Sequence, residues 1–346
     1  MKIIIVGSDK VWAIERYYHK YFNELGIHTD FFIAQSMFYD YYQKSLLNKI
    51  IFKSGLSSIY KKINKAFKKE ITLAQPDAIF IFKGMEITPD TLKWLSFSRI
   101  KIISFNPDNP FVFTGSGSGN KNVTKSIGLY DLHFTYNTDV YKKLEKDYKI
   151  PVKFLPFGFE LDDVLYHQST NEEEINKVCF LGNPDKDRAI FIESLAENGI
   201  QVDIYGNDWK KFVSNKNITF FDPIYGDDFW KVLRKYRVQL NLMRIHNPDS
   251  HNMRTFEIPG VGGIMVAPDT EDHRNFFEAE KEIFLFTDVQ SCIEKIKYLL
   301  QLHKNESDKI RNNARAKSLA AGYTYKNRSK QALKIIKELV DKEHAR

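Results

Sequence analysis

Short apolar runs recur along the first half of the chain, and helical or charged segments separate them. These runs are KIIIVG (2–7), HTDFFIA (28–34), DAIFIFKG (77–84), KIISFN (101–106), YDLHFTYN (130–137) and VKFLPFG (152–158). Runs of this length that alternate with helical segments are typical of a parallel sheet covered by helices on both faces. The first half of the chain therefore predicts an α/β domain.

The same alternation starts again after a polar, acidic stretch, ELDDVLYHQSTNEEEIN (160–176). The second series of apolar runs is KVCFLG (177–182), QVDIYG (201–206), VQLNLMR (238–244), GIMVAP (263–268) and EIFLF (282–286). Helices are predicted at 188–199 and at about 327–343. We predict two doubly wound domains, residues 1–158 and 159–346, with ligands bound at the carboxyl ends of their strands.

Composition supports a folded protein. Of the 346 residues, 43% are hydrophobic, and 27 are Phe, which argues against disorder. The two cysteines, Cys179 and Cys292, form neither a disulfide framework nor a metal-binding spacing, so we expect a cytoplasmic protein. The N-terminal run is too short for a signal peptide and reads as a first strand, and no run approaches the roughly 18 apolar residues of a membrane span.

The net charge of +7 belongs to the first half, because residues 1–150 contain 22 Lys or Arg and 14 Asp or Glu. Segment 41–70 alone contains eight lysines and one acid. Apolar positions at helical spacing predict an amphipathic helix in this segment: Leu56, Ile59, Tyr60, Ile63 and Phe67. Two interpretations are open: a solvated helix packed on a sheet, or a surface for anionic lipid head groups or a phosphorylated acceptor. We expect no nucleic-acid partner, since no recognition motif accompanies the charge.

The stretch DSHNMRTFEIPGVGGIMVAP (249–268) carries the clearest candidate chemistry. It places two acids, Asp249 and Glu257, around Arg254, and Gly260, Gly262 and Gly263 follow before an apolar strand. Arg254 precedes Glu257 by three residues, so both can point from one helix face. The glycines allow a backbone to approach a ligand closely, although they are equally typical of an ordinary loop. A small polar ligand is expected here.

Several pieces of the second half occur in the order of a known family. They are VCFLGNPDKDR, VDIYGNDW, LNLMRIHNPDSHNMRTFEIPGVGG, FFEAEKEIFLF and AGYTYKNRSKQAL, and they span residues 178 to about 333. In this order they resemble the C-terminal domain of GT-B glycosyltransferases (glycosyl transferases group 1), especially the CgeB-type, spore-maturation-like branch. ISFNPDNPF, YDLHFTYN and FLPFGFE resemble the same family more loosely. The resemblance implies two Rossmann-like domains facing across a cleft, an N-terminal acceptor domain and a C-terminal nucleotide-sugar domain, with the last helix packed back on the first domain.

The resemblance also implies a donor site. It places Glu257 at the ribose and Asp249 where related enzymes carry an acid that contacts the transferred sugar. Arg254 and Arg188 are candidates for the diphosphate, and Arg188 lies in the first turn of a predicted helix, where anions are favoured. The remaining predicted donor residues are Gly182, Arg244, Gly262 and Gly263. For Arg188 and Arg244 a surface salt bridge is an equally open interpretation.

The acceptor side is predicted in loops of the first domain. Asp108, in FNPDNPF just past a strand, is the candidate general base if the reaction inverts the anomeric centre, and with Asp249 it makes the predicted catalytic pair. The same Asn-Pro-Asp-Asn-Pro sequence is also typical turn chemistry.

The resemblance predicts transfer of a sugar from a nucleotide-sugar to a glycan or lipid-linked acceptor, such as a cell-surface polysaccharide intermediate. We expect no cofactor besides this donor substrate and no metal, since the DKD triplet at 185–187 is short enough to occur by chance. The alternative is a non-catalytic sugar-nucleotide-binding or regulatory protein of the same fold.

Overall fold

A computed structural model describes residues 1–113, 117–244, 247 and 249–344. The chain forms two compact units: unit 1 contains residues 1–156 together with 325–344, and unit 2 contains residues 157–324. The boundary expected from the sequence followed residue 158, and the last helix counts with unit 1. No helix in the described ranges has the length and hydropathy needed to cross a bilayer.

Unit 1 contains a parallel sheet with the strand order β2-β1-β3-β4-β5-β6. Its strands are β1 (Lys2–Val6), β2 (His28–Phe32), β3 (Ala78–Phe82), β4 (Lys101–Phe105), β5 (Leu132–Thr135) and β6 (Val152–Phe154). Its helices are α1 (Glu15–Glu24), α2 (Ala34–Gln43), α3 (Leu46–Lys53), α4 (Ile59–Ala74), α5 (Pro89–Leu95), α6 (Lys121–Ser126), α7 (Thr138–Lys143) and α15 (Tyr325–His344). Every residue of β3, AIFIF, is buried, as a strand covered by helices on both faces requires.

Unit 2 contains a second parallel sheet, with the order β12-β11-β10-β7-β8-β9. Its strands are β7 (Ile175–Leu181), β8 (Val202–Tyr205), β9 (Ile218–Phe221), β10 (Tyr236–Leu240), β11 (Met265–Pro268) and β12 (Phe284–Phe286). Its helices are α8 (Asp163–Thr170), α9 (Lys186–Glu197), α10 (Asp227–Lys235), α11 (Arg254–Gly260), α12 (Glu271–Phe276), α13 (Val289–Gln301) and α14 (Lys304–Ala320). Short 3₁₀ or π turns occur at Ile127–Leu129, Leu144–Tyr148 and Trp209–Lys211.

The predicted fold class, two Rossmann-like α/β domains, is confirmed within the described residues. Strand β9 at the edge of the second sheet was not predicted. The lysine-rich segment forms two helices, α3 and α4, instead of one. Helix α4 buries Ile59, Ile63 and Phe67, but Leu56 lies outside it and is 81% exposed. The prediction that Leu56 shares the buried face was therefore wrong, because Leu56 lies in the loop between the turn at Gly55, which has a positive φ of 78°, and the start of α4 at Ile59.

Candidate functional site

The two middle strands of unit 2, β7 and β10, are hydrogen-bonded neighbours that are not consecutive in the chain. From β7 the chain proceeds outward to β8 and β9, and it returns on the other side of β7 through β10. The loops that follow β7 and β10 therefore diverge. In doubly wound sheets this reversal opens a crevice at the carboxyl ends of the strands, and ligands bind there.

Arg188 connects the two diverging loops. It lies in the first turn of α9, where its backbone N–H donates to Oδ1 of the N-cap residue Asp185 at 3.0 Å. Its guanidinium donates to the carbonyl oxygen of Leu242 at 2.7 Å, beyond β10, and to that of Asn183 at 3.3 Å, beyond β7. Burial, together with the nearby Arg244 and Arg254, lowers the pKa of Arg188 to about 10. The side chain is therefore a buried cation at the switch point of the sheet.

Glu257 and Arg254 lie one turn apart on α11 and form an ion pair. Glu257 is almost fully buried, and burial raises the pKa of its carboxyl while Arg254 opposes that rise. The Arg254 guanidinium lies 4.5 Å from the centre of the Phe229 ring, which fixes its position by a cation–π contact. The spacing of these two residues in the sequence thus corresponds to a direct contact.

Two further guanidinium groups, those of Arg244 and Arg254, lie close enough to Arg188 for their charges to act on it. The charges of Arg244 and Arg254 both disfavour the charged form of Arg188. Asp185 lies 3.5 Å from Nε of Arg188, and Glu257 pairs with Arg254, but the exposed side chain of Arg244 forms no ion pair or hydrogen bond with a residue that the structure describes. Since three cations face two carboxylates, the group has an excess of positive charge. An anion of the size of a diphosphate would relieve the repulsion between the arginines.

Asp249 is exposed, and the residues after it are tightly held. The Ser250 hydroxyl lies 3.1 Å from Oδ2 of Asp272, and Nδ1 of His251 lies 2.7 Å from the same oxygen. Thr270 donates to the carbonyl oxygen of Ser250 at 3.1 Å. The loop that carries Asp249 is therefore fixed to the start of α12 through buried polar contacts.

The predicted donor glycines have contacts with protein atoms. A Cβ on Gly262, whose φ is 73°, would lie 3.4 Å from the carbonyl oxygen of Arg311 on α14, and one on Gly263 would lie 2.8 Å from Ile258. Gly182 accepts a hydrogen bond from the indole of Trp209 at 2.7 Å. Packing within unit 2 thus explains the glycines at 262 and 263, and a role as donor contacts gains no support from their surroundings.

Unit 1 has its own switch point, between β1 and β3. Asp108, beyond β4, forms an ion pair with Lys83, beyond β3, at 2.6 Å. Lys83 has a positive φ of 64°, a backbone conformation that costs a non-glycine residue about 1 kcal/mol and is frequent at functional sites. Asn106 accepts a hydrogen bond from the backbone N–H of Asp108 at 3.0 Å, so the predicted turn chemistry is present together with the ion pair.

Two buried acids at the switch point of unit 1 were not predicted from the sequence. Glu15, at the start of α1, accepts a hydrogen bond from the backbone N–H of Ser8 at 2.6 Å, and Glu86 lies just beyond β3. Burial raises the pKa of each carboxyl to about 7, and the nearby Lys83 opposes the rise. No motif connects two acids that are far apart in the sequence, so only the fold brings them together. Groups with perturbed pKa values at a switch point are candidates for acid–base chemistry.

The DKD triplet has a structural explanation, because Asp185 caps α9. Among the residues that the structure describes, no three His, Cys, Asp or Glu side chains come together as a metal site requires.

Comparison with known proteins agrees with this architecture. Residues 186–334 match a family model described as glycosyl transferase-like. No protein of curated function matches the chain in sequence. A sucrose-phosphate synthase from Thermosynechococcus elongatus is similar in structure, with a TM-score of 0.71 and 12% identity over 98% of this chain and 99% of that one.

Two further solved structures show the same fold. A glycosyltransferase from Rickettsia africae has a TM-score of 0.64 and 14% identity, over 98% of both chains. A UDP-GlcNAc 2-epimerase from Neisseria meningitidis, bound to UDP-GlcNAc, has a TM-score of 0.57 and 14% identity, over 98% of this chain and 100% of that one. The fold is therefore GT-B, and the chain has a glycosyltransferase-like sequence region. Because transferases and an epimerase share this fold, the fold alone does not identify the reaction.

Proposed function

We propose that the protein transfers a sugar from a nucleoside-diphosphate sugar to an acceptor. The observation that carries the proposal is the group of three guanidiniums, Arg188, Arg244 and Arg254, at the switch point of unit 2. Fixed cations beside a departing diphosphate stabilise the negative charge that develops as the glycosidic bond breaks. The excess positive charge of the group matches a diphosphate better than it matches a neutral ligand.

Glu257 is proposed to bind the ribose of the donor. A buried carboxylate can accept hydrogen bonds from two adjacent hydroxyl groups, and its pairing with Arg254 opposes the effect of burial, which raises the pKa of Glu257. Asp249, exposed at the end of a loop that Asp272 fixes, is proposed to contact the transferred sugar. Together these residues would orient the donor, which is a main source of rate enhancement in a transfer between two bound substrates.

The acceptor is proposed to bind at the switch point of unit 1. An inverting transfer needs a base for the acceptor hydroxyl, and a base is most effective when its pKa lies near the working pH. Glu15 and Glu86 meet this condition, since both have a pKa of about 7. The ion pair with Lys83 holds the Asp108 carboxylate in place, and we propose that it binds acceptor hydroxyls.

We further propose that the acceptor is a lipid-linked or cell-surface polysaccharide intermediate. The protein is proposed to be cytoplasmic and to contact the membrane through segment 41–70. Transfer is proposed to need no protein-bound metal. Membership of the CgeB-type branch is part of the same proposal, and the order of the motifs between 178 and about 333 supports it. The lysine excess of segment 41–70 supports an anionic surface or acceptor.

Thermal unfolding in the presence of UDP, GDP, CMP and dTDP tests the donor site. A nucleotide at about 100 times its dissociation constant stabilises the folded protein by about 2.7 kcal/mol, which raises the melting temperature by a few degrees. We expect one nucleoside diphosphate to stabilise the wild type but not Glu257→Gln. The matched control is Glu197→Gln, an exposed acid on α9. An equal response of both variants would place the nucleotide elsewhere.

Product analysis then separates transfer from the alternatives. A transferase with an acceptor releases free nucleoside diphosphate, and a slow hydrolysis does so without one. A non-catalytic binding protein leaves the donor intact, and an epimerase changes the sugar while it stays attached to the nucleotide. Stabilisation by a nucleotide without its release from any sugar donor would refute the transferase and leave a binding role.

A further inference from the structure

Helix α3 presents an apolar face to solvent. None of its eight residues is buried. Leu46 is 74% exposed, Leu47 is 63% exposed and Ile50 is 56% exposed. These three residues lie on one side of the helix, because Ile50 follows Leu46 by four positions and Leu47 by three and is therefore a neighbour of both. Leu56, just beyond the turn at Gly55, adds a fourth exposed aliphatic side chain.

The opposite side of α3 is firmly attached to its neighbours. The ring centre of Phe52 lies 4.8 Å from that of Phe38 on α2 and 5.6 Å from that of Tyr60 on α4. Tyr42 completes this aromatic cluster, at 5.7 Å from Phe52. The apolar face is therefore held in a fixed orientation, and its exposure belongs to a packed helix.

Lysines surround this face. Between residues 41 and 69 the chain has eight lysines and no acid. None of these lysines forms an ion pair with a residue that the structure describes. Lys44 and Lys53 flank α3, and Lys61, Lys62 and Lys65 are exposed on α4. The result is an aliphatic ridge within a field of uncompensated positive charge.

This combination selects one kind of partner. Protein interfaces are depleted in lysine and enriched in aromatic residues and arginine, and single-stranded nucleic acid requires exposed aromatic rings for stacking. The ridge has neither arginine nor aromatic side chains on its exposed face. Exposed aliphatic residues bordered by lysines instead match a bilayer surface, in which the aliphatic groups enter the acyl boundary and the lysines contact anionic head groups.

We propose that α3 is the membrane-docking element of this protein and that its ridge of Leu46, Leu47 and Ile50 inserts into the surface of an anionic bilayer. The proposal deepens the membrane contact named in the proposed function and does not depend on the donor chemistry. The sequence pattern emphasised α4, whose apolar residues are buried against the sheet. The structure places the accessible apolar groups on α3 instead.

A fluorescent label on the ridge tests insertion directly. Both native cysteines, Cys179 and Cys292, are completely buried, so an environment-sensitive dye would label the variant Leu47→Cys selectively. We expect the emission to shift to shorter wavelength with vesicles of phosphatidylcholine and phosphatidylglycerol, and not with vesicles of phosphatidylcholine alone. The control is the same dye on Phe97→Cys, because Phe97 is 91% exposed on unit 1 outside the ridge.

Vesicle co-sedimentation supplies the second measurement. Leu47→Ser and Ile50→Ser should each weaken binding by about tenfold, and Lys61→Gln and Lys62→Gln by about fivefold each. Phe97→Ser should bind like the wild type. These ridge variants should fold normally, since no residue of α3 is buried.

Three outcomes would overturn the proposal. One is the absence of binding to both kinds of vesicle. Another is binding that Leu47→Ser and Ile50→Ser leave unchanged, which would locate the contact elsewhere. The third is a concentration-dependent dimer, without lipid, that these variants dissociate, since it would assign the ridge to a second copy of the chain. Nucleotide stabilisation of the same variants is measured in parallel, so a failure here is distinguishable from a failure of the donor site.

Discussion

Replacing Glu86 with glutamine should change how the stability of unit 1 depends on pH. Glu86 is almost fully buried, and burial raises its pKa from 4.5 to about 7. The charged and titratable groups near it are Lys83 on the same loop, Glu15 on α1 and Tyr60 on α4. Glutamine keeps the shape of the protonated carboxyl group but cannot ionise.

The magnitude follows from the two pKa values. Between the unfolded and the folded pKa, the unfolded chain loses its proton while the folded protein keeps it, so rising pH favours the unfolded state. Stability is therefore complete below the unfolded pKa of 4.5 and is lost progressively until the folded pKa of about 7. Each factor of ten in a protonation equilibrium corresponds to about 1.4 kcal/mol, so the total is about 3 kcal/mol.

Urea unfolding near pH 5 and near pH 8 measures how much stability the ionisation of Glu86 removes. Hydrogen exchange of strand β3, detected by mass spectrometry, restricts the readout to unit 1. We expect the free energy of unfolding of Glu86→Gln to be within about 1 kcal/mol of the wild-type value near pH 5 and to exceed it by about 3 kcal/mol near pH 8. Glu24→Gln, at the exposed end of α1, is the control and should follow the wild type at both values. If the free energy of unfolding differs between Glu86→Gln and the wild type by the same amount at both pH values, the reasoning is refuted.

Three further predictions concern packing and charge, and urea unfolding checks each of them. Arg311→Ala should destabilise unit 2 by about 3–5 kcal/mol, because this fully buried side chain donates to three carbonyl oxygens and to Glu174; an effect below 1 kcal/mol would contradict the buried ion pair. Gly7→Ala should cost about 1–3 kcal/mol, because its Cβ would lie less than 2.5 Å from Oε1 of Glu15, and the added variant Glu15→Ala should relieve that clash. Gly262→Ala should cost about 1–2 kcal/mol through its positive φ, and an unchanged stability would show that this turn can relax.

Most strands could be predicted because short apolar runs mark them, as AIFIF marks β3. Strand β9 was not predicted because it is a short edge strand in which only Ile218 is buried. The amphipathic helix predicted from the spacing of Leu56 to Phe67 is α4, but the spacing of apolar residues does not show where a helix begins. Leu56 lies between the turn at Gly55 and the first residue of α4, Ile59, and only the structure shows that the helix begins after it.

The candidate site was predictable where it depends on local spacing. Arg254 and Glu257 are three positions apart, so a single helical turn brings them together. Glu15 and Glu86 come together only because β1 and β3 are neighbours in the sheet, and no local pattern records that pairing. The predicted roles of Asp108, Asp249 and the donor residues remain predictions until ligands are tested.

The return of the chain to unit 1 at Tyr325 has a consequence for biosynthesis. Unit 2 is one continuous segment, whereas unit 1 needs both ends of the chain. The ring of Tyr325 lies 4.8 Å from that of Tyr17 and 6.1 Å from that of Tyr18 on α1. During synthesis, residues 1–156 of unit 1 therefore emerge before unit 2, and unit 1 lacks α15 until residues 325–344 are made. The domain translated second can finish folding first, and a chain that stops before residue 325 leaves the aromatic face of α1 uncovered for chaperones and proteases to recognise.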